Sequence, residues 1–366
     1  MGAKNLPCGA RAPDPACGRR FFRDNIQPVI ASYRAYGLTL KSEILIPGLL
    51  PCSPNAAQFD IYVELAGEPQ WVRDASKLPC LVHRREPGTP ETADPAFELT
   101  SFGNAEAFQL AYTDGTRFFV DGVASRIWGR CEPPLTIEDL ATYLLGPVMG
   151  FVLRLRGVTS LHASTICVDG HAIAFSGAAE AGKSTTAAAM AMRGTPVMCE
   201  DISPLHEEGG RFVVEPGYPR VCLWPDAVEK LFSSADALPR LTPNWEKCYI
   251  ELDGARAKFE PHRKPLGAVY LFAHRVNDAT APRIKEAGAR EALLELVQNT
   301  YMNSLLSREQ RAEEFDVLSR LVRNVPVRRI FPHADPARIG ALCELLLADA
   351  RSIALPRMNP ALQARH

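Results

Sequence analysis

No two of the ten cysteines are spaced as C-x-x-C, and they are scattered from Cys8 to Cys343. A disulfide framework belongs to short secreted chains, and a structural zinc site needs clustered ligands, so this 366-residue chain fits neither. The expectation is reduced, mostly buried thiols in a cytoplasmic protein. An excess of one charge is also missing. Lys and Arg total 41 and Asp and Glu total 42, for a formal net charge of −1, which gives no electrostatic reason to expect nucleic acid or an acidic membrane as a partner. Long apolar runs are absent too. The best, Leu144 to Leu153, is too short to span a bilayer and is interrupted by Gly146, Pro147 and Gly150. Met1 to Leu6 lacks the apolar core of a signal peptide and the Ser or Thr that myristoylation prefers. There are no internal repeats, and no N-K-x-D run of the kind that reads guanine in switch GTPases.

What is present is an ordinary globular composition, 46% apolar, in a chain long enough for one large and one smaller domain. Residues 1–28 are rich in Pro, Arg, Gly and Cys without periodicity and read as a loosely ordered extension. Residues 29–157 read as a β-rich domain with a linking helix. Phe59 to Val63, Phe108 to Tyr112 and Arg117 to Val120 are short strand signals, separated by turn pairs such as Asp114-Gly115 and Asp121-Gly122, which predicts an antiparallel sheet. This module is either structural or a substrate-recognition unit. Thr136-Ile137-Glu138-Asp139 resembles a capping box and predicts a helix running through Leu144 and Leu145 toward Leu155.

Residues 158–352 read as an α/β domain, followed by a tail at 353–366. Ile166 to Val168 and Ala172 to Phe175 flank Asp169-Gly170 as a hairpin. Further strands are expected at Pro196 to Cys199, Arg211 to Val214, Tyr249 to Leu252 and Leu266 to Phe272. Two amphipathic helices are expected at Ser307 to Val322, with Phe315, Leu318, Leu321 and Val322 on one face, and at Pro336 to Leu347, with Ile339, Leu342 and Leu346.

The hairpin leads into Gly177-Ala178-Ala179-Glu180-Ala181-Gly182-Lys183-Ser184, which matches G-x-x-x-x-G-K-S at every fixed position. Glycines let such a loop curl so that successive N–H groups point inward at an anion, and the helix that follows aims its positive end at the same place. Residues 177–184, with Thr185, are thus the expected nucleotide-phosphate site. Lys183 would reach the β- and γ-phosphates of ATP, and Ser184 would ligate Mg²⁺. The apolar strand upstream and the helix-forming run from Ser184 to Met192, closed by Gly194, supply the strand–loop–helix setting the motif requires.

Glu200-Asp201 ends the next strand and would face the γ-phosphate, because ligands bind beyond the carboxyl ends of strands in such sheets. One acid would hold Mg²⁺ and the other would accept the proton of an attacking hydroxyl. The sequence does not divide these roles; Asp201 is set beside Ser184 as the metal-side expectation. His162, between apolar residues, is either a core histidine or an active-site group.

Together, Leu161-His162-Ala163-Ser164, the 177–184 loop and Val197-Met198-Cys199-Glu200-Asp201 resemble the HPr kinase/phosphorylase-like family, which shares its nucleotide fold with PEP carboxykinase. Pro216-Gly217-Tyr218-Pro219-Arg220, Leu223-Trp224-Pro225-Asp226, Tyr33 to Leu38 and Ser42-Glu43-Ile44 are similar to family members found with ribosomal peptide pathways, including lasso-peptide kinases. The resemblance covers roughly residues 33 to 350. It implies an α/β fold in which a P-loop domain of the HPr-kinase C-terminal type follows a smaller β-rich domain. It also implies a serine kinase using ATP and Mg²⁺, with Lys183 and Ser184 on phosphate and metal, and Glu200, Asp201 and His162 at the catalytic centre. Lys247 falls on a basic position that would contact phosphate, and Glu215 is the nearest residue to a family metal ligand. Three functions stay open: a kinase acting on serine of a peptide or protein, such as a lasso-type precursor; a small-molecule kinase, for instance of free serine; and a non-catalytic nucleotide-binding regulator. Members of the family form oligomers, so a homo-oligomer is open by analogy alone.

Overall fold

In a computed structural model, residues 30–52, 58–86 and 96–354 are described. The expected extension at 1–28 and the tail beyond residue 354 lie outside them. Residues 353 and 354, expected in the tail, still belong to the last helix.

The first half of the chain builds a nine-stranded sheet. Its strands are β1 (Ala31–Ala35), β2 (Leu38–Ser42), β3 (Pro51–Cys52), β4 (Ile61–Glu64), β5 (Cys80–Glu86), β6 (Phe97–Phe102), β7 (Ala107–Tyr112), β8 (Arg117–Asp121) and β9 (Arg126–Arg130), in the order β3-β1-β2-β4-β9-β8-β7-β6-β5. The sheet is mixed, not antiparallel: β4 runs parallel to both β2 and β9. Hairpin signals report only strands adjacent in sequence, whereas β4 returns after residues 43–60 and joins two hairpin systems by non-local pairings. A short helix, α1 (Gln70–Ala75), lies between β4 and β5.

The linking helix is broken. Thr136 and Asp139 form the capping box of α2 (Ile137–Tyr143), but a π turn at Leu144–Val148 precedes α3 (Met149–Leu155). Pro147 lacks an N–H and clashes with the preceding turn, and Gly146 takes up the break at φ −94° and ψ −105°. Leu144, Val148, Met149 and Val152 bury their apolar side against Leu40, Ile61, Phe118 and Ile127 of the sheet.

The second half contains β10 (Ser160–Val168), β11 (His171–Ser176), α4 (Lys183–Met192), β12 (Val197–Cys199), β13 (Ile202–Glu208), β14 (Arg211–Val214), β15 (Arg220–Leu223), α5 (Pro225–Phe232), β16 (Cys248–Glu251), β17 (Lys264–Phe272), β18 (Arg283–Glu286), α6 (Ala289–Gln298), α7 (Arg308–Asn324), β19 (Val327–Phe331) and α8 (Ile339–Ala354). β10 pairs with β11, β11 with β17, β17 with β14, β14 with β13 and β13 with β10, so five strands close a ring. β19 and β18 extend it beyond β17. Strand alternation splits the core in two. Ile173, Phe175, Tyr270 and Phe272 pack under α4 and α8, whereas Ala172, Ala174, Val269 and Leu271 pack under α6 and α7. The chain is therefore mixed α/β, with helices on both faces of β11 and β17.

On α7, Leu318 and Leu321 are buried as the periodicity predicts, but Phe315 is exposed. Its neighbour Glu314 occupies the inward position, because α3 presents a buried Arg154 there.

Candidate active site

Strand direction assembles the site. β11 and β12 both run antiparallel to β10, and β17 runs parallel to β11. The carboxyl ends of β11, β12 and β17 therefore share one edge with the start of β10. That edge carries the 177–182 loop, Glu200-Asp201, the segment after Phe272 and His162.

The loop is held open by backbone conformations that side chains resist. Gly177 has φ +147° and Gly182 φ +107°. A Cβ on Gly177 would stand 3.1 Å from the Phe272 carbonyl oxygen, a tight approach at a φ that already strains any side chain. Glu180 also takes a left-handed φ of +61°. Gly177 is buried, Ala178, Ala179 and Glu180 are exposed, and Ala181 and Thr185 are half-buried. α4 starts at Lys183 and directs its N-terminal amides at the loop.

Lys183 is only 7% exposed, and its Nζ donates to the carbonyls of Gly177 at 2.9 Å and Ala178 at 3.0 Å. Burial pulls its pKa below the ordinary lysine value, with the charges of Asp201 and Glu200 opposing. A buried ammonium facing a loop of amides suits a polyanion.

The acid pair splits. Ser184 Oγ donates to Glu200 Oε1 at 2.8 Å, so Glu200, and not the expected Asp201, meets the metal-side serine. Asp201 has φ +69°, and its Oδ1 lies 2.9 Å from His162 Nε2. Glu200 is 6% exposed, and burial raises its pKa; the Lys247 charge opposes and Asp201 adds. Burial would raise Asp201 as well, but the His162 hydrogen bond and the charges of His162, Lys247 and Lys183 hold it below the usual carboxylate range.

Lys247 is half-buried, not out on the surface. Burial would lower its pKa, but Glu200, Cys222 and Asp201 outweigh this and raise it, and its Nζ stands 5.8 Å from the Trp224 ring centre. Glu215 is turned elsewhere. Its carboxylate lies 3.8 Å from Arg263, and its Cγ would touch a Cβ on Gly37 at 2.8 Å.

Sequence reasoning missed three site neighbours. Tyr301 stands edge-on to His162, with ring centres 5.8 Å apart, and its hydroxyl donates to Asp201; burial, then the Asp201 charge, push the phenol pKa well up. Tyr301 lies in a connection between helices and carries no motif. Arg275, just past β17, donates to the Glu180 carbonyl at 3.1 Å, and nothing in the sequence ties it to the loop. Tyr36, at the β1–β2 turn, is buried behind the acid pair. Its N–H donates to the Pro216 carbonyl at 2.7 Å and its hydroxyl to the Leu145 carbonyl at 2.7 Å, and its ring meets Tyr218 edge-on at 6.3 Å. Tyr36 and Tyr218 both lie in segments of the family resemblance, the available signal for them.

The residues fit a magnesium-bound nucleotide polyphosphate: a glycine cradle that a Cβ would obstruct, a buried lysine, and a serine paired with a carboxylate. Among the described residues there is no group of three or more His, Cys, Asp or Glu able to hold a metal ion.

No protein-family model and no curated protein matches the chain. Among solved structures, the Hpr(Ser) kinase/phosphatase from Coxiella burnetii is similar over 57% of this chain and 99% of that one, at 14% identity and a TM-score of 0.31. A likeness at that level assigns neither activity nor substrate. No helix among the described residues is long and apolar enough to cross a membrane.

Proposed function

We propose that this protein is an ATP-dependent kinase that transfers the γ-phosphate to a serine hydroxyl of a peptide or protein, with a lasso-type precursor peptide as the leading candidate acceptor. In this reading residues 158–352 are the kinase domain and residues 29–157 a β-rich module that braces it. The observation that carries it is the division of the acid pair: Glu200 bonds Ser184 at the start of α4, while Asp201 bonds His162 and feels the charge of Lys183. Pure nucleotide binding needs no second carboxylate beside the phosphate site.

The loop amides and Lys183 would hold the polyphosphate, and Ser184 and Glu200 would hold Mg²⁺. When bound, Mg²⁺ neutralises charge on the phosphates. Asp201, kept ionised by His162 and Lys247, accepts the hydroxyl proton of the acceptor. His162 fixes the direction of that carboxylate, as an orienting group does for a base. Lys247 supplies a second positive charge to the acid pair.

The test is to incubate the protein with ATP, Mg²⁺ and serine-containing peptides and to read the peptide masses. Addition of one phosphate, lost in Asp201→Asn, supports the reading. Normal ATP binding without transfer to peptide would leave a regulator; transfer to free serine alone would leave a small-molecule kinase.

A further inference from the structure

A cleft of about 410 Å³ opens between the two halves of the molecule. Pro47 and Glu138 line it from the N-terminal half, and Arg220, Arg240, Thr242 and Tyr249 line it from the other. The Arg220 guanidinium stacks on Tyr249, 4.1 Å from the ring centre, and is packed by Gly48, where a Cβ would stand 3.2 Å from Nη1. Its Nε is buried without a hydrogen-bond partner. The ion pair it makes is with half-exposed Glu251 at 3.9 Å, the limit of such contact. Arg220 is therefore held in place by packing, and its ion pair with Glu251 is too long to hold the guanidinium tightly. Arg240 stands exposed at the rim, and Glu138 is the single acid in the lining, so the lining side chains carry two guanidiniums to one carboxylate.

One loop ties the cleft to the acid pair. Its wall residue Leu241 donates its N–H to the Lys247 carbonyl at 2.7 Å, and Lys247 is the lysine whose charge reaches Glu200 and Asp201.

We propose that this cleft is the acceptor subsite and that it takes a carboxylate of the acceptor peptide through Arg220 and Arg240. The proposal rests on the kinase reading above and deepens it: the substrate class becomes a serine peptide with a carboxylate close to the acceptor. That carboxylate is either an Asp or Glu side chain or a free chain end, since planar guanidinium donors recognise both alike.

The test uses equilibrium binding, so it does not depend on catalysis. Fluorescein-labelled nonapeptides carry a central Ala in place of the acceptor serine, flanked by Glu or by Gln, each with a free and an amidated C-terminus. The expected result is at least tenfold tighter binding of a carboxylate-bearing form than of the amidated Gln form. Arg240→Gln and Arg220→Gln should each abolish most of that preference and leave ATP affinity unchanged. Preference for the Glu form assigns the side chain as the source, and preference for the free terminus assigns the chain end. Equal binding of all four peptides, or preference intact in both variants, overturns the proposal. Arg240 is exposed, so its variant reads the contact even where Arg220→Gln disturbs the Tyr249 stack. Carboxylate-dependent binding without phosphate transfer to the serine forms would sink the kinase reading and leave the cleft standing.

Discussion

Arg154 on α3 and Glu314 on α7 form an ion pair sealed from solvent, 160 residues apart in the chain, and the same arginine holds the Tyr301 carbonyl with its Nε at 2.7 Å. Thr300 donates to the other Glu314 oxygen at 2.7 Å. The pair thus joins the linking helix to the C-terminal half and fixes the segment that brings Tyr301 to Asp201. Glu314→Ala would leave a buried guanidinium uncompensated and should cost about 3–5 kcal/mol. Denaturant midpoints measure this, and Arg154→Met with Glu314→Leu should recover much of the loss. An unchanged midpoint for the single variant would show that the pair does not stabilise the fold.

The two acids should fail in different ways. Asp201→Asn should lower kcat by ~10²–10⁴-fold with ATP affinity retained, because only proton acceptance is lost. Glu200→Gln should instead raise the Mg²⁺ concentration needed for half-maximal rate. Steady-state kinetics over an Mg²⁺ series separates them, and matching profiles for the two variants would contradict the division of roles read from the Ser184 contact.

Asp139 should govern part of the acid sensitivity of the fold. It is fully buried and accepts from Thr136 N at 2.8 Å and Asn244 Nδ2 at 2.7 Å, joining α2 to the 241–247 loop. Burial would raise its pKa, but hydrogen bonds from Thr242, Thr136 and Asn244 prevail and hold it below the ordinary value. A depressed folded-state pKa means that the stabilisation is present above the unfolded value, roughly 3.9, and is lost as pH falls through the folded one. Asp139→Asn should cost about 1–3 kcal/mol at neutral pH and flatten the loss of stability at acid pH. Thermal melts from pH 3 to pH 7 would show both effects; a parallel pair of curves would refute the assignment.

Thiol reactivity should follow exposure. Cys199 and Cys222 lie behind the acid pair, and burial pushes both thiols up to about 12, so neither supplies thiolate at neutral pH. Cys80, exposed on β5, should react first among the cysteines of the described residues. Mass mapping after brief iodoacetamide treatment of the native protein checks this; early labelling of Cys222 would mean that the core behind Glu200 opens readily.

Much of the site was legible because its parts are local. The hairpin at Asp169-Gly170, the glycine spacing of the loop and the helix after it lie within some twenty-five consecutive residues, and backbone preference fixes them there. The capping box at Thr136 was legible for the same reason, and the break at Pro147 lay in the residues, though the helical period ran across it. Phe315 misled because its spacing matched the buried face, and no local signal told that Glu314 would be drawn inward by Arg154.

By itself, the order of residues determined the strand–loop–helix unit of 171–192 and an acid pair one strand later, since short-range sterics and glycine's freedom act within a few residues. Only the tertiary structure decided which acid faces Ser184, that Tyr301 meets Asp201 and Arg275 meets the loop, and that β4 runs parallel to its neighbours. Those outcomes turn on pairing and burial between segments distant in the chain, where the energy depends on partners that no local pattern names.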